Sequence, residues 1–500
     1  MSYDADVVVA GGGPVGLMLA CELRLAGASV TVLDRLTAID PTVKAGSLTV
    51  PTVAAFHRRG LLSQLEEAQQ HNLRGFAPKA TAGPKATGPK FLGHFGGIML
   101  TSDHLDPSSQ AGEHGPAAGI TLVAQQQVEA ILAERAAELG VDVRRGVEVT
   151  GIAPDDDGVT VTTDQGPVRG RWLVGCDGGR SIVRKLAGFD FPGTDPEITA
   201  YQAMAEMEGT EALPTGWHAT PTGVYVYGPH PRRILVVEFG GTPADRDAPV
   251  TTAELEASIR RVTGVDVVVT AINSVTRFTD NTRQASTYRL GRVLLAGDAA
   301  HVHPPFGGQG LNLGVGDAVN LGWKLAAVIR GHAPDGLLDT YTTERHPVGA
   351  WVLDWTRAQI AIMRPDPHAR ALRQVVTDLA GTTDGTTYLA DRLSGVWQRH
   401  DIPGDHPLVG TNASDLELAD GSRLADHMHD GRALLLDPSG ELSVAAHGYD
   451  DRLKVTDGPF GLLVRPDGIV AWASDEGAEP HGLDKALSTW LGAPGSPAAA

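Results

Sequence analysis

Two glycine-rich segments, far apart in this chain of 500 residues, carry the groups best suited to hold a ligand. The first is GGGPVG at positions 11–16, and the second is GRVLLAGDAAHVHPPFGGQGLNLGVGDAVNLGWKLA at 291–326. In each, a short apolar run leads into a turn and then into a helical pattern. Glycine lets backbone N–H groups come close to a ligand, and the helix start behind the turn adds partial positive charge. These segments therefore indicate a binding site.

The first segment has the spacing Gly-x-Gly-x-x-Gly between a strand and a helix, and a second strand follows. We expect Gly11 to make the tight turn, Gly13 to admit a pyrophosphate, and Gly16 to let the helix pack on the strand. Asp34 ends the second strand, where its carboxylate can accept hydrogen bonds from an adenosine ribose. A chance glycine turn is the alternative, and the well-placed acidic residue argues against it.

In the second segment, Gly297 makes a sharp turn after a strand, and Asp298 can accept hydrogen bonds from a polyhydroxylated ligand. The alternative is that Asp298 only caps the helix that follows. The first segment alone does not separate FAD from NAD(P), but FAD spans a long site whose ribityl and ring portions need a second cradle. Together the two segments predict bound FAD, so a nicotinamide nucleotide must bind elsewhere and transiently.

Further polar residues near these segments have two interpretations each. Lys44 can neutralise the FAD diphosphate or remain a solvated lysine. Asp177, at a strand-to-helix turn, can contact the cofactor or order the turn. The spacing of His301 and His303 suggests a metal site, but no carboxylate or thiol cluster accompanies them, so we reject that interpretation.

The elements around these residues predict more than one domain, because 500 residues exceed one compact core. Apolar strands beside the glycine turns are typical of a buried parallel sheet. Alternating strands at 198–208, 223–227 and 233–238 instead predict an antiparallel sheet that can serve as a substrate platform. From position 421 short strands and a closing helix form a small α/β unit without cysteine, which excludes dithiol redox chemistry there.

Aromatic side chains of the predicted platform are candidate substrate contacts. An apolar element over the ligand side begins at Phe95 and adds another candidate. Packing in the core or on the surface is the alternative for any single aromatic residue. The candidates are Phe95, Tyr201, Tyr225 and Tyr227.

The net charge of −19 argues against nucleic acid and anionic membranes as partners. No apolar run is long enough to span a membrane, and the N-terminus lacks the features of a signal peptide. We therefore expect a cytoplasmic protein. Cys21 and Cys176 both lie in apolar contexts, which favours small buried side chains over a disulfide.

Three motifs together resemble the class A FAD-dependent aromatic hydroxylases: GGGPVG at 11–16, GCDGGRSIVRK at 175–185, and the 291–326 segment. More narrowly, the chain is similar to the aromatic polyketide hydroxylases and the rifampicin monooxygenases. The resemblance covers nearly all of the chain and implies an α/β fold. That fold is a Rossmann-like FAD-binding domain with an inserted antiparallel-sheet substrate domain and a C-terminal thioredoxin-like domain. The implied boundaries are 1–75, 101–190 and 276–380 for FAD binding, 76–100 and 191–275 for substrate, and 400–500 for the last domain.

The resemblance also assigns cofactor contacts to individual positions. The family commonly has arginine where Lys44 stands, and lysine loses the bidentate geometry of arginine. Asp177 belongs to a fingerprint implicated in handling both FAD and NADPH. The remaining positions are Val15, Asp34 and Arg35 at the adenosine end, Gln125 near the midsection, Val149 near the adenine, Asp298 at the ribityl chain, and Pro305, Gly308, Gly310, Leu311 and Asn312 along the isoalloxazine.

The implied activity is hydroxylation of a polycyclic aromatic polyketide-type substrate, consuming NADPH or NADH and O₂ through a flavin C4a-hydroperoxide. The chemistry belongs to the flavin, so no residue of the chain is expected to act as a catalytic acid, base or nucleophile. Alternatives are a Baeyer–Villiger or antibiotic-inactivating monooxygenase and, outside the class, a flavin-binding protein without oxygenase activity. We expect a monomer or weak homodimer.

Overall fold

The computed structural model describes residues 2–42, 45–76, 90–109, 120–228, 230, 232–243, 245, 248–475 and 481–495. Lys44, a predicted cofactor contact, lies outside these ranges. The helices are α1 (Pro14–Leu25), α2 (Val50–His57), α3 (Leu62–Phe76), α4 (Gln125–Glu138), α5 (Ile182–Ala187), α6 (Thr252–Thr263), α7 (Gln309–Arg330), α8 (Thr340–Met363), α9 (Pro367–Ala380), α10 (Thr383–Ser394) and α11 (Leu483–Leu491).

Within the described ranges, the strands form five sheets. In chain order they are β1 (Ala5–Ala10), β2 (Val30–Asp34), β3 (Phe91–Phe95), β4 (Ile98–Thr101), β5 (Asp142–Arg145), β6 (Val149–Pro154), β7 (Val159–Thr163), β8 (Gly166–Gly175), β9 (Gly193–Thr194), β10 (Thr199–Glu208), β11 (Gly216–Ala219), β12 (Gly223–Tyr227), β13 (Arg233–Glu238), β14 (Val268–Phe278), β15 (Thr282–Gln284), β16 (Arg289–Leu290), β17 (Val293–Leu295), β18 (His301–Val302), β19 (Ala433–Leu436), β20 (Leu453–Thr456), β21 (Gly461–Val464) and β22 (Val470–Ser474).

The largest sheet positions both glycine segments. Its order is β16-β17-β8-β1-β2-β5, with β1, β2, β5, β8 and β17 parallel, and β6 and β7 continue antiparallel from β8. The strand β1 is fully buried in its centre, because its apolar side chains are covered on both faces. Since β1 and β17 both pair with β8, their carboxyl ends lie at one edge of the sheet, where ligands of such folds bind.

A second, antiparallel sheet has the order β11-β12-β13-β10-β14. The helix α6 packs on one face through Leu255, Ile259 and Val262. The other face packs on Phe306 and on α8 through Ile360 and Met363. The hairpin β3–β4 turns at Gly96 and Gly97, so the apolar element predicted to begin at Phe95 is the tip of this hairpin.

The C-terminal part is a four-stranded sheet of order β20-β19-β21-β22 with α11 packed on it. Arg465 of this part is completely buried and forms ion pairs with Glu344 of α8 and with Asp467. Lys324 of α7 pairs with the same Glu344 carboxylate at 2.9 Å, so two cations and two carboxylates balance inside this interface. A buried charge set of this kind requires that every partner be present.

The structure confirms the predicted fold class. It extends the predicted antiparallel sheet by β11 and by the eleven-residue strand β14. Both cysteines are free thiols, and burial raises the pKa of Cys21 to about 12. No helix within the described ranges has the length and apolar composition required to cross a membrane.

Candidate cofactor and substrate site

The N-terminal turn needs each glycine of its fingerprint for a different steric reason. Gly11 has φ +108°, and a Cβ there would lie 2.3 Å from the carbonyl oxygen of Cys176. A Cβ on Gly16 would lie 1.9 Å from the carbonyl oxygen of Gly11, which is the close helix-to-strand approach expected of the third glycine. A Cβ on Gly13 would meet no atom within 4 Å. The backbone at Gly13 therefore faces open space that a diphosphate can occupy.

Asp34 lies beside this turn, at the end of β2. Its Oδ2 accepts a hydrogen bond from the Gly12 N–H and its Oδ1 accepts one from the Leu36 N–H, both at 2.8 Å. Arg145 Nη1 lies 3.6 Å from Oδ2, a contact that no feature of the sequence signalled. The neighbouring Arg35 is exposed. The carboxylate is therefore held at the sheet edge next to the turn, as a ribose contact requires.

The two glycine segments meet through Val15 of α1. Gly297 has φ +64°, and its Cβ position lies 3.1 Å from Val15 Cγ2. On α7, a Cβ at Gly314 would lie 2.5 Å from the same methyl group. Side chains at either glycine would push α1 and α7 apart. The structure thus brings the segments, predicted separately from the sequence, into one opening.

Asp298 is exposed at this opening and does not cap α7. That helix begins at Gln309 after Gly308, which has φ +63° and makes no side-chain cap bond. The Oδ1 of Asp298 lies 3.9 Å from the Cβ position of Gly310, so the carboxylate stands beside the first turn of α7. The N–H groups in the first turn of α7 receive no side-chain cap from the described residues and remain available to a ligand.

Three other predicted residues of this loop lie at the same helix start. Pro305 is exposed, and Leu311 is 8% exposed. The side chain of Asn312 is hydrogen-bonded within the protein: its Nδ2 donates to the Gly308 carbonyl at 2.8 Å, and its Oδ1 accepts from the Thr49 N–H at 2.8 Å. Only the backbone of Asn312 is therefore free to meet a cofactor.

A buried charge network that the sequence did not reveal supports the Asp298 loop from the protein interior. Asp317 of α7 accepts hydrogen bonds from the Gly297 N–H at 3.0 Å, His301 Nε2 at 2.6 Å and Arg345 Nε at 2.9 Å. Burial alone would raise the pKa of Asp317, but the charges of His301 and Arg345 outweigh it, so its pKa is lowered. The only available signal was an aspartate within an otherwise apolar stretch of α7.

His303, the second histidine of the loop, is held by its neighbour. Its Nδ1 donates to the Pro304 carbonyl at 2.9 Å, and burial lowers its pKa. His301 lies in the Asp317 network. Both rings therefore have structural partners in the loop.

Asp177 orders its own turn, and its contact with a cofactor stays a prediction. Its Oδ2 accepts from the Ile182 and Val183 N–H groups at 2.7 and 3.1 Å. Arg184 lies on α5 with Ile182 and Val183, and it donates to the carbonyls of Ala299 and Gly179, both at 2.9 Å. The Asp177 turn and α5 therefore support the Asp298 loop from one side.

Two further predicted contacts lie on other elements of the fold. Gln125 begins α4, and its N–H donates to the Ala45 carbonyl at 3.0 Å. Val149 begins β6 and packs, partly buried, against the main core. Contact of either residue with the cofactor stays a prediction.

The three tyrosines predicted to line the substrate platform need correction. Tyr201, Tyr225 and Tyr227 belong to the core under α6, on the face of the antiparallel sheet that points away from Phe306. Tyr201 donates to Glu254 of α6 at 2.7 Å, and Tyr225 stacks on His218 with ring centroids 5.0 Å apart. Because side chains alternate along a strand, the neighbouring residues occupy the face towards the loop instead.

That opposite face is apolar and aromatic. Phe306 of the loop lies 5.9 Å from Phe278 and 6.5 Å from Trp217, measured between ring centroids. Its remaining members, which sequence reasoning missed, are Ile198, Ala200, Val224, Val226, Leu235, Val237 and Phe239.

Phe95 is likewise a core residue. Its ring packs 4.6 Å from that of Trp355, among residues of α8 and α10. The hairpin nevertheless reaches the apolar face, because His94 lies 4.5 Å from Trp217 between ring centroids. Gln359 joins the two parts: its Oε1 accepts from the Gly96 N–H at 3.0 Å, and its Nε2 donates to the Phe306 carbonyl at 3.3 Å.

Comparison with known proteins is consistent with this geometry. Residues 4–356 match the FAD binding domain family, and residues 406–494 match the family described as aromatic-ring hydroxylase, C-terminal. A rifampicin monooxygenase from Streptomyces venezuelae is 41% identical over 98% of this chain and 99% of its own length. A dialkyldecalin synthase from Streptomyces rugosporus is 38% identical over 97% of this chain and 98% of its own.

Among solved structures, the OxyS anhydrotetracycline hydroxylase from Streptomyces rimosus has a TM-score of 0.86 and 40% identity, covering 98% of this chain and 99% of that one. The matches span both the FAD-binding and the C-terminal parts. This chain therefore belongs to the FAD-dependent aromatic-ring hydroxylase family of monooxygenases.

Proposed function

We propose that this protein hydroxylates a polycyclic aromatic, polyketide-type substrate, using FAD, O₂ and NADPH or NADH. The observation that carries the proposal is the position of the Asp298 loop, with the glycine opening on one side and the apolar sheet face on the other. A reacting ring and a bound flavin can meet there while water is kept out.

The residues at the opening fit FAD in order along its length. Asp34 accepts from the adenosine ribose, Gly13 leaves space for the diphosphate, and Asp298 accepts from ribityl hydroxyls. When bound, reduced FAD supplies the activation of O₂ that delivers one oxygen atom to the ring. The uncapped N–H groups at the start of α7 stabilise negative charge on the cofactor.

The substrate class follows from the lining of the apolar face. Between Phe306 and Trp217 the described side chains are aromatic or aliphatic, which suits a flat, multi-ring molecule. The named substrate of OxyS is anhydrotetracycline, which has this character. We therefore propose a multi-ring phenol rather than a single-ring aromatic acid.

The test is to add anhydrotetracycline and other polycyclic phenols to the purified holoenzyme with NADPH or NADH in air. We expect one or more of them to accelerate nicotinamide oxidation and to gain one oxygen atom on an intact ring. Oxygen insertion into a ring, or rifampicin conversion alone, would favour the Baeyer–Villiger or antibiotic-inactivating alternative, which the rifampicin monooxygenase relative supports. A rearranged product of unchanged mass would favour a reaction without oxygenation, as the name of the dialkyldecalin synthase suggests for that relative.

A further inference from the structure

Arg233 lies on the apolar face of the antiparallel sheet. Along β13, Ile234 and Val236 point into the core under α6, whereas Leu235 and Val237 pack with Phe306. By alternation Arg233 shares the face of Leu235 and Val237. Val237 lies four positions after Arg233 along the strand, which corresponds to about 13 Å. A substrate of several fused rings that starts beside Phe306 therefore reaches Arg233 with its far end.

The guanidinium of Arg233 has no carboxylate partner within the described ranges. Its one hydrogen bond runs from Nη1 to the Gly228 carbonyl at 3.5 Å, which is long for such a bond. The arginines around it are paired: Arg232 lies 3.0 Å from Glu206, and Arg277 lies 2.6 Å from Glu254. Burial lowers the pKa of Arg233, because the charged form is partly removed from water. A half-buried cation of this kind is most stable when an anion joins it.

His94 stands close to Arg233 and also offers a donor. Its Nδ1 accepts a hydrogen bond from the Gly97 N–H at 3.4 Å, so the proton of the neutral ring resides on Nε2. Burial, and then the charge of Arg233, lower the pKa of His94 to about 4, which keeps the ring neutral at physiological pH. Its ring packs on Trp217 of the same sheet face. Arg233 and His94 therefore present N–H donors at one end of an otherwise apolar platform.

We propose that Arg233 binds an ionised oxygen of the substrate, a phenolate or enolate, at the end remote from the Asp298 loop. This inference rests on the proposed function and specifies its substrate class. An acidic hydroxyl on the terminal ring supplies the anion that the guanidinium lacks, and the apolar rings contact the partly buried Trp217 and Phe278 of the same face. The contact anchors the substrate, and Arg233 takes no part in oxygen transfer.

The experiment measures binding without turnover. Oxidised holoenzyme is titrated with 2-hydroxyanthraquinone and with 2-methoxyanthraquinone, at a pH above the pKa of the hydroxyl, and the change in flavin absorbance gives each dissociation constant. The variants are Arg233→Met, Arg233→Lys and, as a control on the exposed neighbouring arginine, Arg232→Met. The FAD content of each variant is measured first.

We expect wild type to prefer the hydroxy compound, and Arg233→Met to weaken its binding about tenfold to a hundredfold, the range for a hydrogen bond to a charged group. Binding of the methoxy compound should barely change, Arg233→Lys should recover part of the preference, and Arg232→Met should behave as wild type. Equal loss for both compounds in Arg233→Met, or no preference in wild type, would overturn the inference. If wild type oxygenates polycyclic phenols and still shows no preference, the inference fails alone; if it neither binds nor oxygenates them, the proposed function fails with it.

Discussion

Replacing Asp317 by asparagine tests how the Asp298 loop is held. The Asp317 carboxylate is fully buried and joins the Gly297 N–H, His301 and Arg345. Asparagine keeps the shape of the side chain but removes its charge. The Arg345 guanidinium, 3% exposed, is then left in the core without its counter-ion.

The expected cost is large compared with the stability of a domain. Breaking a buried ion pair by removing one partner costs about 3–5 kcal/mol, against a total of about 5–15 kcal/mol for a typical protein. The affinity for FAD should also fall, because Gly297 loses the charged acceptor that fixes its N–H beside Asp298. One hydrogen bond to a charged group corresponds to about tenfold to a hundredfold in the dissociation constant.

The assays are urea unfolding of the apoprotein and titration with FAD followed by flavin fluorescence. The pKa of Asp317 is lowered in the folded state, so its contribution to stability is present above its unfolded pKa of about 4 and is lost as the pH falls through the lower folded value. The stability gap between wild type and variant should therefore shrink in acid. Asp335→Asn, at an exposed position, is the control. If Asp317→Asn unfolds at the same urea concentration and binds FAD as wild type does, the network does not hold the loop.

Four further variants probe the cofactor opening and the domain interface. Asp298→Ala should fold normally but lose FAD during purification, and a fully yellow variant with normal NADPH turnover would contradict the ribityl assignment. Gly13→Ala should keep its melting temperature and bind FAD more weakly, because its Cβ enters the open space. Gly16→Ala should lower the melting temperature, because its Cβ meets the Gly11 carbonyl; equal melting temperatures for these two variants would refute the distinction. Arg465→Met should lower the urea midpoint by an amount that corresponds to about 3–5 kcal/mol, since it removes the ion-pair partner of the buried Asp467 and leaves Glu344 with Lys324 alone. An unchanged midpoint would show that the interface charges are dispensable.

The local elements of the site could be predicted because their signals are local. The glycine spacing at 11–16 indicates a strand, a tight turn and a helix, and apolar runs indicate buried parallel strands. Strand alternation likewise places Tyr225 and Tyr227 on one face. It does not say which face α6 covers, and for that reason alternation alone does not decide between lining the platform and packing in the core, which is the alternative that the structure shows.

Contacts between side chains of different helices left no comparable signal. Asp317 and Arg345 meet because α7 and α8 cross, and the crossing depends on packing that no periodicity shows. Phe95 was misassigned for a related reason: a short apolar run does not reveal that α8 and α10 cover it. Arg233 could not be singled out from the sequence, because its lack of a carboxylate partner is visible only in three dimensions.

We propose that FAD held at the Asp298 loop transfers one oxygen atom to a multi-ring phenol. The most direct measurement is product mass after the holoenzyme reacts with anhydrotetracycline, NADPH and ¹⁸O₂. We predict one ¹⁸O atom in the product and no incorporation when the label is in water. A product that carries no ¹⁸O would contradict this proposal. So would the absence of any product from an enzyme that retains FAD and consumes NADPH only at the substrate-free rate.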